Sequence, residues 1–537
     1  MKNQFIKYTT FIFSLLLITS CGEEYLEEVP VDFISPDNAY TSLDGFEAGL
    51  VALHHIARDE YSRRASSRTL VQIGQTDIYA VGEPGNINNY DFALLTSQGG
   101  FAGEPGDVWN WVYGDLLPAA NTIISRAKTA EIDWTEEQKN RIMAEAQFFR
   151  AYGLFYVSAI FGDVPIVDQE IKEVKLNFTR DPVSSVLEFV INDLTFARQH
   201  LPEVQEVDGG ISSSAVNHLL AEVYLTVGSY DEAIQAASAV INSGNYELMT
   251  ERFGTIADQP GDVFYDLFYD GNQNRSSGNL ESIWVQQHEF QVQGGGPFGN
   301  DLIRAFGPRY WALNDYDGNP GTVVVNDSIG RGVAWFAPTN YFKYDIWESD
   351  FDIDMRNSQY NIRRNWYFNN PDSPYFGERV DLSKYAPGQE PDSLIVLYPL
   401  VRKGDGINFS DNGRFWQDLA RFRLAETYLL RAEAYLMKGE LENAAADINV
   451  VRARANATPV EAADVDINYL LDERARELTL EENRMRTLNR FGLFVERVDL
   501  YNFRATGRIQ PHQSLWPIPQ DVIDSNSGAE FPQNDGY

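Results

Sequence analysis

One cysteine, Cys21, stands in the whole 537-residue chain. Internal disulfides, thiolate metal sites and a cysteine nucleophile in the body of the protein are therefore excluded. The chain also has no H-E-x-x-H zinc motif and no G-x-S-x-G nucleophile elbow. Positive charge is scarce, with 43 Lys and Arg against 78 Asp and Glu, for a net charge of −35. Such acidity disfavours nucleic acid and anionic lipid surfaces as partners. No apolar run approaches the roughly 20 residues that span a bilayer. The hydrophobic fraction of 44% and aromatic fraction of 13% nevertheless lie far from a disordered composition. The length allows about three domains or one large unit.

What is present begins with a leader. Lys2 and Lys7 precede the apolar run from Phe11 to Ile18, which has the length of a signal-peptide core. The following Ile18-Thr19-Ser20-Cys21 resembles the lipobox of bacterial lipoproteins, in which the cysteine is acylated after cleavage before it. Residues 1–20 are thus expected to be a lipoprotein signal peptide. Residues 21–34 form an acidic tether behind a lipidated Cys21, with Glu23, Glu24, Glu27 and Glu28. Two or three chains on one residue would make a stable anchor, since a single acyl chain binds only marginally.

Helical patterns dominate from residue 35. Phe46, Leu50, Leu53 and Ala57 recur at helical spacing after the start signals Ser35-Pro36-Asp37 and Ser42-Leu43-Asp44. Residues 74–107 are rich in Gly, Asn and Pro and read as an irregular excursion. Helices resume over 108–128 and 136–160, the latter ending at Phe161-Gly162-Asp163-Val164-Pro165. An internal repeat follows: Ala221, Glu222, Tyr224, Leu225, Gly228 and Ala233 recur at the same spacing as Ala432, Glu433, Tyr435, Leu436, Gly439 and Ala444. Small residues, a glycine stop and a second helix are the logic of a tetratricopeptide-like hairpin. Glu145 to Tyr152 reads as a degenerate third copy, and the two good copies lie too far apart in sequence for a continuous solenoid. Between them the helical period fades and Trp284, Trp311, Trp335, Trp347, Trp366 and Trp416 appear. The expected organisation is a helical scaffold over about 35–250 and 419–500, a loop-rich insert over about 251–418, and an irregular C-terminal segment, 501–537.

Several of these segments resemble the SusD/RagB-like nutrient-binding lipoproteins of Bacteroidota outer membranes. The match is carried by the lipobox, by Ala144-Glu145-Ala146-Gln147-Phe148-Phe149-Arg150-Ala151-Tyr152, and by Arg423 to Ala434. It continues through Glu473 to Leu478, Arg484 to Gly492, Leu515 to Pro519 and Pro532 to Tyr537. Thr487 departs from the pattern, where the family usually has Asp. The resemblance implies a mostly α, SusD-like fold, with tetratricopeptide-like helix pairs as scaffold and a variable insert carrying the ligand site. It implies a binding protein rather than an enzyme, lipid-anchored and facing out from the outer membrane. It also implies a SusC-like TonB-dependent transporter as partner, with oligo- or polysaccharide as cargo. A peptide-capturing RagB-like role and an extracellular hydrolase are the alternatives.

Sugars present apolar C–H faces to aromatic rings and hydroxyl edges to polar side chains. Trp311 with Tyr310, and Trp335 with Phe336, fall in Gly- and Asn-rich loops and are the first candidates for glycan contact. Asp77, Tyr79, Asn89 and Tyr90, in the early excursion, are the second set. Trp284, Trp109 and Trp111 read as core. No cofactor and no metal are expected. Gly294 to Gly299 matches a dinucleotide-loop spacing but has no βαβ context. The Asp315-Tyr316-Asp317-Gly318-Asn319 run lacks EF-hand ligands at its ends, where Leu313 and Val324 stand. His54 and His55 diverge on a helix and make a poor metal pair. Glu473/Arg476 and Glu482/Arg486 are expected to be structural ion pairs.

Overall fold

The computed structural model describes residues 35–62, 68–82, 91–97, 104–296, 299–324, 330–406 and 414–537. Cys21, the leader, the tether, Asn89 and Tyr90 lie outside these described residues.

The described chain is mostly α-helical. Helix α1 (Leu43–Ser62) buries Phe46, Leu50, Leu53 and Ala57 along one stripe. Helix α2 (Leu117–Thr129) continues from a π-helical stretch, Asn110–Leu116, that turns Trp111 into the core. Helix α3 (Glu136–Phe161) opens with a capping box. There Thr135 Oγ1 accepts from Gln138 N–H at 3.1 Å, and Gln138 Oε1 accepts from Thr135 N–H at 2.8 Å. Gly162, at φ +72°, stops it. Next come α4 (Val183–His200), α5 (Ser213–Val227), α6 (Tyr230–Ile241), α7 (Leu424–Met437), α8 (Leu441–Arg454) and α9 (Ile467–Leu478).

Neighbouring helices pack in the order α3, α4, α5, α6, α7, α8. Here the structure corrects the sequence expectation: the two repeat copies, distant in the chain, form one continuous stack because α6 lies directly on α7. In both copies a left-handed glycine ends the first helix, Gly228 at φ +77° and Gly439 at φ +76°.

Two strand pairs explain how the chain can leave the stack and return. They are formed by β1 (Tyr79–Val81), β2 (Ser282–Gln286), β3 (Phe336–Pro338) and β4 (Leu419–Arg423). Strand β2 pairs antiparallel with β4, closing the root of the insert immediately before α7. Trp284 on β2 is buried against Phe148, Tyr152 and Phe422, with ring centroids 5.2–5.5 Å apart. Strand β1 pairs with β3, so the early excursion is not wholly irregular: it reaches the insert and adds a strand to it.

Charge locks the insert root to α9. Arg423, 2% exposed at the end of β4, meets Glu281 at 2.5 Å, Glu481 at 2.5 Å and Glu477 at 3.1 Å. Arg454 bridges Glu281 and Glu477, and Arg356 joins Asp354, Glu473 and Glu477. Glu473 pairs with Arg476 at 3.0 Å, as the spacing suggests. Arg486 instead pairs with Glu222 at 2.8 Å, while Glu482 meets Arg474 at 2.8 Å and Arg484 at 3.1 Å. At the departure from the family pattern, Thr487 Oγ1 donates to Glu482 Oε2 at 3.0 Å.

Candidate functional site

The site is built where two segments of the insert run side by side. Val333 N–H donates to Arg304 O at 2.9 Å and Ala334 N–H to Gly307 O at 2.9 Å. Tyr310 Oη donates to Gly330 O at 2.9 Å, and Trp311 Nε1–H to Gly332 O at 2.8 Å. The approach is close enough that a Cβ on Gly332 would collide with the Gly307 carbonyl, so the pairing requires glycine there. Ala334 beside it is fully buried and held at φ +57°, a left-handed conformation costing about 1–2 kcal/mol for a residue with a side chain.

Of the candidates, Trp311 and Trp335 are half-buried. The Arg331 guanidinium carbon lies 4.5 Å from the centre of the Trp311 ring, and that of Arg304 lies 5.7 Å from the Trp335 ring. Arg309 donates from Nε to Val333 O at 3.1 Å. Burial, then the like charges of Arg414 and Arg331, lower the proton affinity of Arg304 against the opposing pull of Asp301. Arg309 is lowered by burial and by Arg331. The site thus offers two half-buried indoles and, at Arg331, a guanidinium whose charge is felt by Arg304 and Arg309.

The partner residues predicted alongside them are core instead. Phe336 is 0% exposed and packs on Phe306 at 5.3 Å, within β3, which is buried along its whole length, whereas Trp335 precedes the strand. Its ring fills the space beside Gly74. Tyr310 stacks on Trp366 at 5.5 Å within a small cluster that includes Ile303 and Phe415. Tyr79 is buried on β1 between Phe306 at 4.8 Å and Phe342 at 5.6 Å.

Asp77 is likewise buried in the fold. It is 0% exposed and clamped by Arg484 at 2.7 Å and Arg497 at 2.8 Å. Burial pushes its carboxyl up, but the two guanidiniums overcome this and hold it at about 2. Its role is to tie the start of β1 to the C-terminal helices. Strand β1 gives way to Gly82, whose N–H donates to Trp335 O at 2.9 Å. The arginines of the face were missed in the sequence, although Arg331 stands between two glycines four residues before Trp335.

Other motifs find structural uses. Trp109 and Trp111 are buried. Trp416 Nε1–H donates to Gly296 O at 2.5 Å, and Arg58 to Gly294 O at 2.7 Å, within the glycine-rich run. The Asp315 carboxylate accepts from Asp317 N–H at 3.1 Å, Asn319 N–H at 3.0 Å and Ser373 Oγ at 2.7 Å. His54 contacts Glu145 at 2.6 Å and His55 contacts Arg58 at 2.7 Å, so the two rings face different partners. They border a groove of about 780 Å³ with Val51, Arg58 and Gln287, which the sequence did not suggest.

Comparison with known proteins adds the family level. A family model described as the SusD family matches residues 265–537, and one described as "Starch-binding associating with outer membrane" matches residues 38–225. The chain is 24% identical over 551 residues to SusD-like protein P2 of Formosa agariphila, covering 98% of this chain and 99% of that protein. Among solved structures it resembles a laminarin-binding SusD-like protein, with a TM-score of 0.67 and 21% identity over 92% of this chain and 99% of the other. It also resembles surface glycan-binding protein A of Bacteroides fluxus, with a TM-score of 0.68 and 22% identity over 92% and 99%.

Proposed function

The chain belongs to the SusD family, and from that premise we propose that it is a surface glycan-binding lipoprotein. It captures oligo- or polysaccharide and passes it to a SusC-like TonB-dependent transporter. The observation that carries this reading is the placing of Trp311 and Trp335, both half-buried, with Arg331 and Arg304 respectively laid against their rings, on the paired segments of the insert. A sugar face laid on an indole buries roughly 50–80 Å² and contributes on the order of 1–2 kcal/mol. Guanidinium and main-chain donors can hold the hydroxyl edges. Two or three such contacts supply about 2–6 kcal/mol before the cost of association, so the rings alone give an affinity no tighter than tens of micromolar, on the order of millimolar or weaker once that cost is counted. That weakness suits a protein that must release its cargo.

The rest of the reading follows from attachment and partner. The family description for residues 38–225 supports association with the outer membrane. Among the described residues no helix is long and apolar enough to cross a membrane. Attachment is assigned to acyl chains on Cys21, with the acidic tether spacing the body from the surface. The protein binds its glycan and leaves it intact.

Calorimetry or affinity electrophoresis of the full chain against a polysaccharide and peptide panel tests the cargo. Retention by one or more glycans and none by peptides is expected. Binding only to peptides would replace this reading with peptide capture, and release of reducing ends from a bound glycan over hours would make the chain an enzyme. Co-purification with a TonB-dependent barrel tests the partner.

A further inference from the structure

We propose that Arg331, laid against Trp311, reads a negative charge on the ligand, so that the cargo is an anionic glycan carrying sulfate esters or carboxylates. This rests on the glycan-binding reading and narrows its substrate class.

Arg331 is half-buried, and among the described residues its guanidinium has no hydrogen-bonding or carboxylate partner. That is notable in a chain with 78 acidic and 43 basic residues. Buried arginines elsewhere are paired: Arg423 with three glutamates, Arg356 with an aspartate and two glutamates. What holds Arg331 is the face of Trp311, 4.5 Å away. A guanidinium resting on an aromatic face keeps its in-plane N–H donors free at the edge, the geometry that grips a carboxylate or sulfate with two parallel hydrogen bonds. One face of Trp311 is therefore taken by the cation, and on that face the indole serves the ligand by supporting Arg331.

The surroundings reinforce the choice of charge. Arg304 and Arg309 lie close enough to feel the charge of Arg331, and each is less readily protonated for it. Among the described residues Asp301 faces this group, paired with Arg414 at 2.7 Å, and Arg304 and Arg309 have further polar partners. Like charges gathered on one surface repel, and an anion bound among them relieves that repulsion. A neutral glycan could accept hydrogen bonds here but would not relieve that repulsion. In a protein whose net charge repels polyanions at long range, binding one requires such a local positive site.

The test pairs charged glycans with neutralised counterparts on the full chain. One arm is a sulfated galactan and its desulfated form; the other is a polyuronate and its methyl ester. The wild type is expected to bind at least one charged member about tenfold or more tightly than its neutral counterpart, the scale of a lost charge-assisted fork. Arg331→Gln should erase that difference, costing the charged form far more affinity than the neutral one, and Arg331→Lys should restore part of it. Preference confined to the sulfated arm assigns a sulfate ester, and preference confined to the uronate arm a carboxylate; each supports the proposal. Equal binding of charged and neutral forms, or a preference that survives in Arg331→Gln, overturns the inference and leaves glycan binding standing. Failure of the wild type to bind any glycan, charged or neutral, overturns both.

Discussion

Asp77→Asn should destabilise the fold by roughly 3–5 kcal/mol, the cost of removing one partner from a buried charge cluster, and leave glycan affinity of the folded protein unchanged. Asp77 is 0% exposed and faces two guanidiniums, with Arg484 Nε at 2.9 Å and Nη2 at 2.7 Å and Arg497 Nε at 2.8 Å. An asparagine has the same shape, but it brings no charge and turns an N–H₂ toward donors. If the body unfolds as one unit of about 500 residues, its unfolding entropy is roughly 1 kcal/mol/K, and the midpoint falls by about 3–5 °C. The pH dependence supplies a second signature. The carboxyl stands at about 2 in the fold, below its ordinary 3.8. Its contribution is therefore fully present above about pH 4 and is lost as pH falls through about 2, on the order of 2 kcal/mol. The gap between wild type and variant should narrow over that interval. Thermal unfolding followed by near-UV circular dichroism gives the stability, and calorimetry at a temperature where both proteins are folded gives the affinity. A variant with an unchanged midpoint and weakened glycan binding would refute the structural role of Asp77.

Gly332→Ala should lower glycan affinity and destabilise the insert, because the new methyl group meets the Gly307 carbonyl and pushes the Trp311 and Trp335 segments apart; limited proteolysis with calorimetry checks both. Gly439→Ala should cost about 1 kcal/mol from its left-handed backbone alone, since open space surrounds that position, and a urea titration with unchanged slope measures it. Trp284→Ala, at the insert root, should cost roughly 3–5 kcal/mol, with unfolding by denaturant as the check.

Much of the scaffold is legible in the sequence because its determinants are local. The period of Phe46, Leu50, Leu53 and Ala57 gives α1 its buried stripe, and the capping pair Thr135 and Gln138 with Gly162 bounds α3. The matched glycines Gly228 and Gly439 mark both repeat hairpins. The stacking of α6 on α7 is not legible, because it depends on β2 meeting β4 across the whole insert. The same distance hides the ion clusters: nothing near Asp77 in the sequence announces Arg484 or Arg497. At the site, composition points to Trp311 and Trp335 but cannot separate them from Tyr310 and Phe336. That distinction needs the burial of β3 against Phe306 and the small cluster around Trp366. The pairing of β1 with β3 likewise turns Tyr79 from a loop residue into core.

The most direct test of the glycan-binding account is the affinity of a Trp311→Ala/Trp335→Ala double variant for whichever glycan the wild type retains. With an unfolding midpoint close to that of the wild type, the double variant should bind at least tenfold more weakly, the loss of roughly 1.4 kcal/mol or more. Unchanged affinity in a folded double variant would contradict the account and move the ligand site away from this face.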